Sequence, residues 1–121
     1  MAKRVMVVDD SRIQEVQIRN MLEGSDYEVV CYCRSGEDAL AQYGDVEPDV
    51  VTMDIIMPGM DGLETAQAIL EEYPEAKIIM VSSLAYDDTF EEAKSIGAKA
   101  FLDKPFDVEK LLAALDEAIS S

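Results

Sequence analysis

Five short apolar runs, each closed by polar or turn-forming residues, alternate with segments whose apolar residues recur at helical spacing. No other feature limits the fold as strongly. Strands alternating with helices through short connections, with no linker and no low-complexity stretch, describe a parallel sheet covered by helices. The predicted strands are Arg4 to Val8, Glu28 to Cys33, Val50 to Met53, Ile78 to Val81 and Ala100 to Leu102. Ser11 is placed to cap a first helix running to about Glu23, with Ile18, Met21 and Leu22 facing inward. Ser35-Gly36 starts a short second helix carrying Ala39, Leu40 and Tyr43, and Asp45 to Pro48 reads as a loop. Leu63, Ala66, Ile69, Leu70 and Tyr73 mark a third helix that Pro74 closes. A fourth, from about Asp87 to Gly97, is expected to turn Phe90 and Ala93 inward. A fifth, capped by Asp107, aligns Leu111, Leu112, Leu115 and Ile119.

With right-handed crossovers these elements give an α/β fold. It is a doubly wound five-stranded parallel sheet of flavodoxin-like order 2-1-3-4-5, with helices on both faces. The length of 121 residues suits a single domain, 1-121, with one sizeable core. In such sheets the ligand crevice lies beyond the carboxyl ends of the strands, where the strand order reverses. Asp9, Asp10 and Asp54 all fall at that place, between the first and third strands.

Twenty-six acids oppose ten bases, and histidine is absent, giving a formal charge of −16. Such a charge repels a phosphate backbone and an anionic membrane surface, so neither nucleic acid nor membrane is an expected partner. No apolar run approaches a membrane span, and the run Val5 to Val8 breaks at Asp9-Asp10 before it could act as a signal peptide; a cytoplasmic location is expected. Cys31 and Cys33 lie two apart on one strand, near or beyond the reach of a disulfide, and a zinc site lacks further thiols or histidines. Both are expected to be core residues.

Three carboxylates about 5 Å apart repel by roughly 3 kcal/mol per pair at an effective dielectric of about 20. A cation must relieve that repulsion, and an all-oxygen donor set suits Mg²⁺. A carboxylate beside Mg²⁺ can attack phosphorus, giving an acyl phosphate on the protein's own side chain, with Asp54 the candidate. Charge then spreads over the phosphoryl oxygens, where a fixed ammonium and a hydroxyl stabilise it. Lys104 and Ser82 close strands five and four, within reach.

Taken together, Val8-Asp9-Asp10-Ser11, Asp54 to Gly62, Val81-Ser82-Ser83 and Lys104-Pro105-Phe106 resemble the receiver domains of two-component response regulators, especially the single-domain CheY-like members. The resemblance runs from about Lys3 to Ile119. It implies that Asp54 is phosphorylated by a histidine kinase, and that Asp9, Asp10 and Asp54 hold Mg²⁺ with the backbone carbonyl of Ile56. It further implies that Lys104 pairs with the phosphoryl group and that the Lys104-Pro105 bond is commonly cis. Ser82 would move toward the phosphoryl group, and Phe101 would be the switch aromatic, reshaping the surface of the last two helices and the fifth strand. Phe101 lacks the hydroxyl of the frequent tyrosine, so its switching rests on packing. Ile56 and Leu84 are apolar where many relatives are polar; their bulk is expected to restrict attacking water and lengthen the phosphorylated state. Gln14, Glu15 and Arg19 lie on the first helix, where the family meets its phosphodonor.

The expected function is therefore a phosphorylation-dependent signalling switch, not an enzyme in the ordinary sense, although it assists its own phosphorylation and dephosphorylation. It would act as a monomer on a downstream target such as a flagellar motor switch component, for example in chemotaxis, or as one domain of a longer regulator. A phosphatase of the haloacid dehalogenase type normally wants Asp-x-Asp after the first strand, whereas this chain has Asp9-Asp10-Ser11. A flavodoxin would want phosphate-binding backbone donors and hydroxyls where this chain has two acids.

Overall fold

The computed structural model describes residues 2–83 and 87–121. Ten elements alternate strictly: β1 (Lys3–Val8), α1 (Arg12–Leu22), β2 (Tyr27–Cys33), α2 (Gly36–Val46), β3 (Val50–Asp54), α3 (Gly62–Glu72), β4 (Ile78–Ser82), α4 (Asp87–Ile96), β5 (Ala100–Asp103) and α5 (Val108–Ser120). All strand pairs are parallel and the order is β2-β1-β3-β4-β5, as the alternation predicts. Because side chains alternate along a strand, the sheet builds two cores. Val5 and Val7 of β1 join Ile18, Leu22, Leu111 and Leu115 beneath α1 and α5. Met6 and Val8 join Met53, Ala66, Ile69 and Ala93 beneath α2, α3 and α4.

The helix starts are set by side-chain caps. Ser11, Ser35, Asp61 and Asp107 each sit in extended backbone and accept the N–H three residues on, from Gln14, Asp38, Glu64 and Lys110 respectively. Each such cap contributes about 1 kcal/mol. Burial drives the rest.

Several expectations change in detail. Asp45 and Val46 belong to α2, which runs further than the loop reading allows. The helix ends at Glu47 in left-handed backbone, φ 49°, with its N–H donating to the Tyr43 carbonyl. Arg4 Nη1 donates to the carbonyls of Val46 at 2.6 Å and Glu47 at 2.9 Å, so a residue distant in sequence completes this terminus. Strands β3, β4 and β5 each extend one residue beyond prediction, making Asp54, Ser82 and Asp103 their final residues. Ala93 is buried as expected, but Phe90 is 45% exposed. Phe90 instead meets the edge of the Phe101 ring, with centroids 5.6 Å apart.

Glu15 also departs from the surface role expected of it. It lies on the inward face with Ile18 and Leu22 and is 4% exposed, paired closely with Arg19. Arg19 carries the link onward, its Nη1 donating to the Val29 carbonyl of β2 at 3.2 Å. Cys31 and Cys33 are free thiols, one half-buried and one buried. Among the described residues, no helix is long and apolar enough to cross a membrane.

Candidate functional site

The sheet order reverses between β1 and β3, and both strands deliver acids there. β1 ends at Val8, and Asp9 follows with its N–H donating to the Cys33 carbonyl of β2 at 3.0 Å. That bond keeps Asp9 in line with the sheet although the strand has ended. Its Oδ1 accepts the Ser11 N–H at 2.8 Å, which leaves Oδ2 facing the crevice. Asp10 is exposed beside it, and Asp54 comes from the adjacent strand end. One carboxylate oxygen from each of Asp9, Asp10 and Asp54 lies within 4.8 Å of the others. The three acids grouped by sequence are thus brought together.

Lys104 enters from the loop after β5 and partly neutralises the cluster. Its Nζ stands 3.1 Å from Asp9 Oδ2 and 3.3 Å from Asp54 Oδ1. The Lys104 backbone is fixed as well, its N–H donating to the Ser82 carbonyl at 2.8 Å, and the Lys104-Pro105 peptide is cis as anticipated. Ser82 itself is buried at the end of β4, next to β3 in the sheet. Four strand ends therefore converge on one crevice.

Electrostatics follow from this packing. Burial, then repulsion from Asp9, raise the Asp54 carboxyl from 3.8 to about 6, and Lys104 offsets only part of that rise. Burial alone would depress the Lys104 ammonium, but Asp9 and Asp54 outweigh it and hold the group above its ordinary value. One ammonium against three acids leaves a net negative crevice. Paired oxygens without nitrogen or sulfur form a donor set that fits a hard divalent cation such as Mg²⁺.

The loop from Ile55 to Asp61 is shaped by glycine. At Gly62 a Cβ would run into the Asp54 carbonyl oxygen and the Ile55 Cα, so only glycine lets α3 start against the end of β3. Gly62 N–H donates to the Ile55 carbonyl at 2.8 Å, closing the loop on itself. Ile55 and Met57 are buried while Ile56 between them is 56% exposed, its side chain turned outward from the loop. Leu84, the other apolar residue expected near the phosphoryl group, lies outside the described residues.

Phe101 sits on β5 away from the acids. With Phe90, Lys94, Lys99 and Glu117 it lines a surface cavity of about 280 Å³ between α4 and α5. Sequence reasoning singles out Phe101 but not this cavity, since its other walls come from three separate elements. It also misses the burial of Glu15, although the spacing to Ile18 and Leu22 and the i,i+4 relation to Arg19 are visible in the chain.

Comparison with known proteins gives a consistent result. The family model of the response regulator receiver domain matches residues 5–116. The chain is 40% identical over 115 residues to the chemotaxis protein CheY of Listeria monocytogenes, covering 95% of this chain and 97% of that one. It is 36% identical over 117 residues to CheY of Thermotoga maritima, covering 97% and 98%. Among solved structures, the response regulator domain of Thermotoga maritima CheB superposes with a TM-score of 0.92 at 31% identity, covering 100% and 98%. The Borrelia burgdorferi complex of CheX, CheY, BeF3 and Mg²⁺ gives 0.89 at 31%, covering 93% and 86%.

Proposed function

Because the chain belongs to the response regulator receiver domain family, we propose that it is a phosphorylation-dependent signalling switch whose acceptor is Asp54. The observation that carries this reading is the Asp54 carboxylate at a strand end, 3.3 Å from a fixed ammonium and beside two further acids. The phosphodonor is a histidine kinase. An Asp54 carboxylate oxygen forms the new bond to phosphorus as the phosphorus–nitrogen bond of the phosphohistidine breaks, and the imidazole leaves with its electron pair and is protonated. Asp9, Asp10 and Asp54 with the Ile56 carbonyl would hold Mg²⁺, which supplies charge neutralisation at the crevice when bound.

The chain's own residues do the remainder. Asp54 is nucleophilic only when ionised, and a cation at the crevice favours that form. Lys104, already bridging Asp9 and Asp54, is positioned to follow the charge onto a phosphoryl oxygen, and the Ser82 hydroxyl supplies a second donor. Once phosphorylated, Asp54 carries more negative charge and binds Lys104 and Ser82 differently, which biases a pre-existing equilibrium at β4 and β5. Phe101 transmits that bias to the cavity between α4 and α5 by packing against Phe90. A target protein, such as a component of a flagellar motor switch, reads this surface, consistent with chemotaxis relatives. The protein acts in the cytoplasm, as a monomer.

A second reading is that the same unit serves within a longer regulator. It is favoured by 40% identity over 126 residues to a protein-glutamate methylesterase of Halalkalibacterium halodurans, of which this chain covers 36%. Both readings share the switch chemistry. Incubation with a small acyl phosphate tests it: intact mass should rise by one phosphoryl group in Mg²⁺, and not in chelator or in Asp54→Asn. An adduct independent of Mg²⁺, or sustained turnover of a generic phosphate ester, would instead favour a different chemistry such as a phosphatase.

A further inference from the structure

The end of the sheet opposite Asp54 carries a second negatively charged cavity. Asp49 and Lys77 immediately precede β3 and β4 there, and along β3 that end lies about 16 Å from the phosphoryl crevice. The cavity, of about 230 Å³, forms where α2 and α3 stop, with Tyr43, Tyr73, Glu47, Asp49, Glu75 and Lys77 in its walls. A helix C-terminus bears partial negative charge, yet neither helix has a basic residue in its last turn. The nearby bases are already engaged. Lys77 Nζ donates to the backbone oxygens of Ile119 at 2.7 Å and Ser121 at 2.9 Å, and the Arg4 guanidinium to the carbonyls of Val46 and Glu47. Among the described residues the Glu47 and Glu75 carboxylates have no hydrogen bond or ion pair, and Asp49 accepts the Arg4 backbone N–H at 2.7 Å.

The aromatic wall is built at some cost. Tyr43 and Tyr73 pack with ring centroids 4.6 Å apart. A Cβ at Gly44 would collide with the Tyr73 hydroxyl, so α2 keeps a glycine in its interior at about 1 kcal/mol to admit that ring. Tyr43 is only 7% exposed, and its hydroxyl has no hydrogen-bond partner among the described residues. Among those residues, the one fully buried side-chain polar atom without a partner is the Tyr32 hydroxyl. The Tyr43 hydroxyl therefore reaches solvent, and it does so at the cavity it lines. An otherwise buried side chain thus presents one unpaired polar atom to whatever enters.

The donor arrangement selects the kind of cation. Among the described residues only Asp9, Asp10 and Asp54 bring three ligand atoms within 4.8 Å of one another, so Glu47, Asp49 and Glu75 do not converge on a metal ion. Separated carboxylates beside aromatic rings suit two positive groups joined by an apolar body. We propose that this cavity binds a linear aliphatic diammonium ion. Its methylenes lie against Tyr43 and Tyr73, its ammonium groups meet the carboxylates, and one N–H donates to the Tyr43 hydroxyl oxygen.

Putrescine is the probe, titrated calorimetrically into the full chain at about 0.15 M salt to screen the general acidic surface, and in excess Mg²⁺ to fill the oxygen crevice. Saturation at one putrescine per chain is expected, with butylamine, which has one ammonium, binding about tenfold more weakly. Tyr43→Phe and Glu75→Gln should each weaken binding about tenfold. Asp54→Asn at the crevice, and Glu109→Gln at an exposed acid of α5, should leave it unchanged. Absence of saturable binding, equal affinity for butylamine, unchanged affinity in Tyr43→Phe or Glu75→Gln, or an equal loss in Glu109→Gln would overturn the proposal. Without putrescine, Tyr43→Phe should unfold at the native temperature, because no internal hydrogen bond is lost. A clearly lower midpoint would assign the hydroxyl an internal role and overturn its assignment to a ligand.

Discussion

Replacing Asp54 by asparagine should stabilise the metal-free protein, and by an amount that depends on pH. Asp54 is buried and its carboxyl is raised from 3.8 to about 6, by burial first and by Asp9 second. At low pH the group is protonated in both folded and unfolded chains and contributes no difference. As pH rises past about 4 the unfolded chain loses its proton while the folded chain keeps it, so stability falls until the folded group also ionises near 6. Above that the penalty is constant. At 1.36 kcal/mol per pH unit, the interval from 3.8 to about 6 corresponds to about 3 kcal/mol. The amide introduced by Asp54→Asn would keep the shape without the charge, and Lys104 would retain Asp9 as its partner. For a chain of 121 residues that gain should raise the melting temperature by about 10 °C at pH near 8. The assay is thermal or urea unfolding of both proteins in chelator, at pH about 4 and about 8, with a parallel series in Mg²⁺. In Mg²⁺ the native chain should recover about 2.7 kcal/mol at a hundredfold excess over Kd, and the variant much less. A variant no more stable than the native chain at pH 8, or a gain of equal size at pH 4, would refute the electrostatic reasoning.

Gly62→Ala should cost about 1–3 kcal/mol, since the added methyl must displace the Asp54 carbonyl or the Ile55 backbone; a urea midpoint equal to native would show that the loop yields freely. Glu47→Gly should be stabilising by about 0.5 kcal/mol, because glycine removes left-handed strain of about 1–2 kcal/mol while adding entropy to the unfolded chain. Arg4 holds the backbone there and not the Glu47 side chain, so a loss of stability on urea unfolding would contradict this origin of the α2 terminus. Ile56→Asn combined with Leu84→Glu should shorten the phosphorylated lifetime severalfold in Mg²⁺ buffer; an unchanged dephosphorylation rate would remove bulk at these positions as the cause.

The sheet order and the meeting of Asp9, Asp10, Asp54 and Lys104 can be read from the chain because they depend on strand ends, and strand ends are marked by where apolar runs stop. Features made by distant partners are much less legible. The continuation of α2 through Asp45 and Val46 rests on Arg4 capping its last carbonyls, a contact more than forty residues away in sequence. Helical period points Phe90 inward, yet β5 is an edge strand and α4 leaves that ring at its margin, against Phe101. Glu15 shows the opposite error: its charge suggests the surface, while its period places it in the core with Arg19 beside it. Spacing alone marks the cysteine pair as packing residues. A bulge in β2 and a turn of α2 give those thiols polar neighbours that no local pattern announces.

The proposed switch requires that Asp54, and not its neighbours Asp9 or Asp10, be the phosphoryl acceptor. Borohydride reduction of the protein treated with acyl phosphate and Mg²⁺, followed by peptide mapping, tests it directly, since an aspartyl phosphate is reduced to homoserine. Homoserine is expected at position 54 alone, and at no position when Mg²⁺ is chelated. Homoserine at position 9 or 10, or a phosphorylated chain with none at 54, would contradict it.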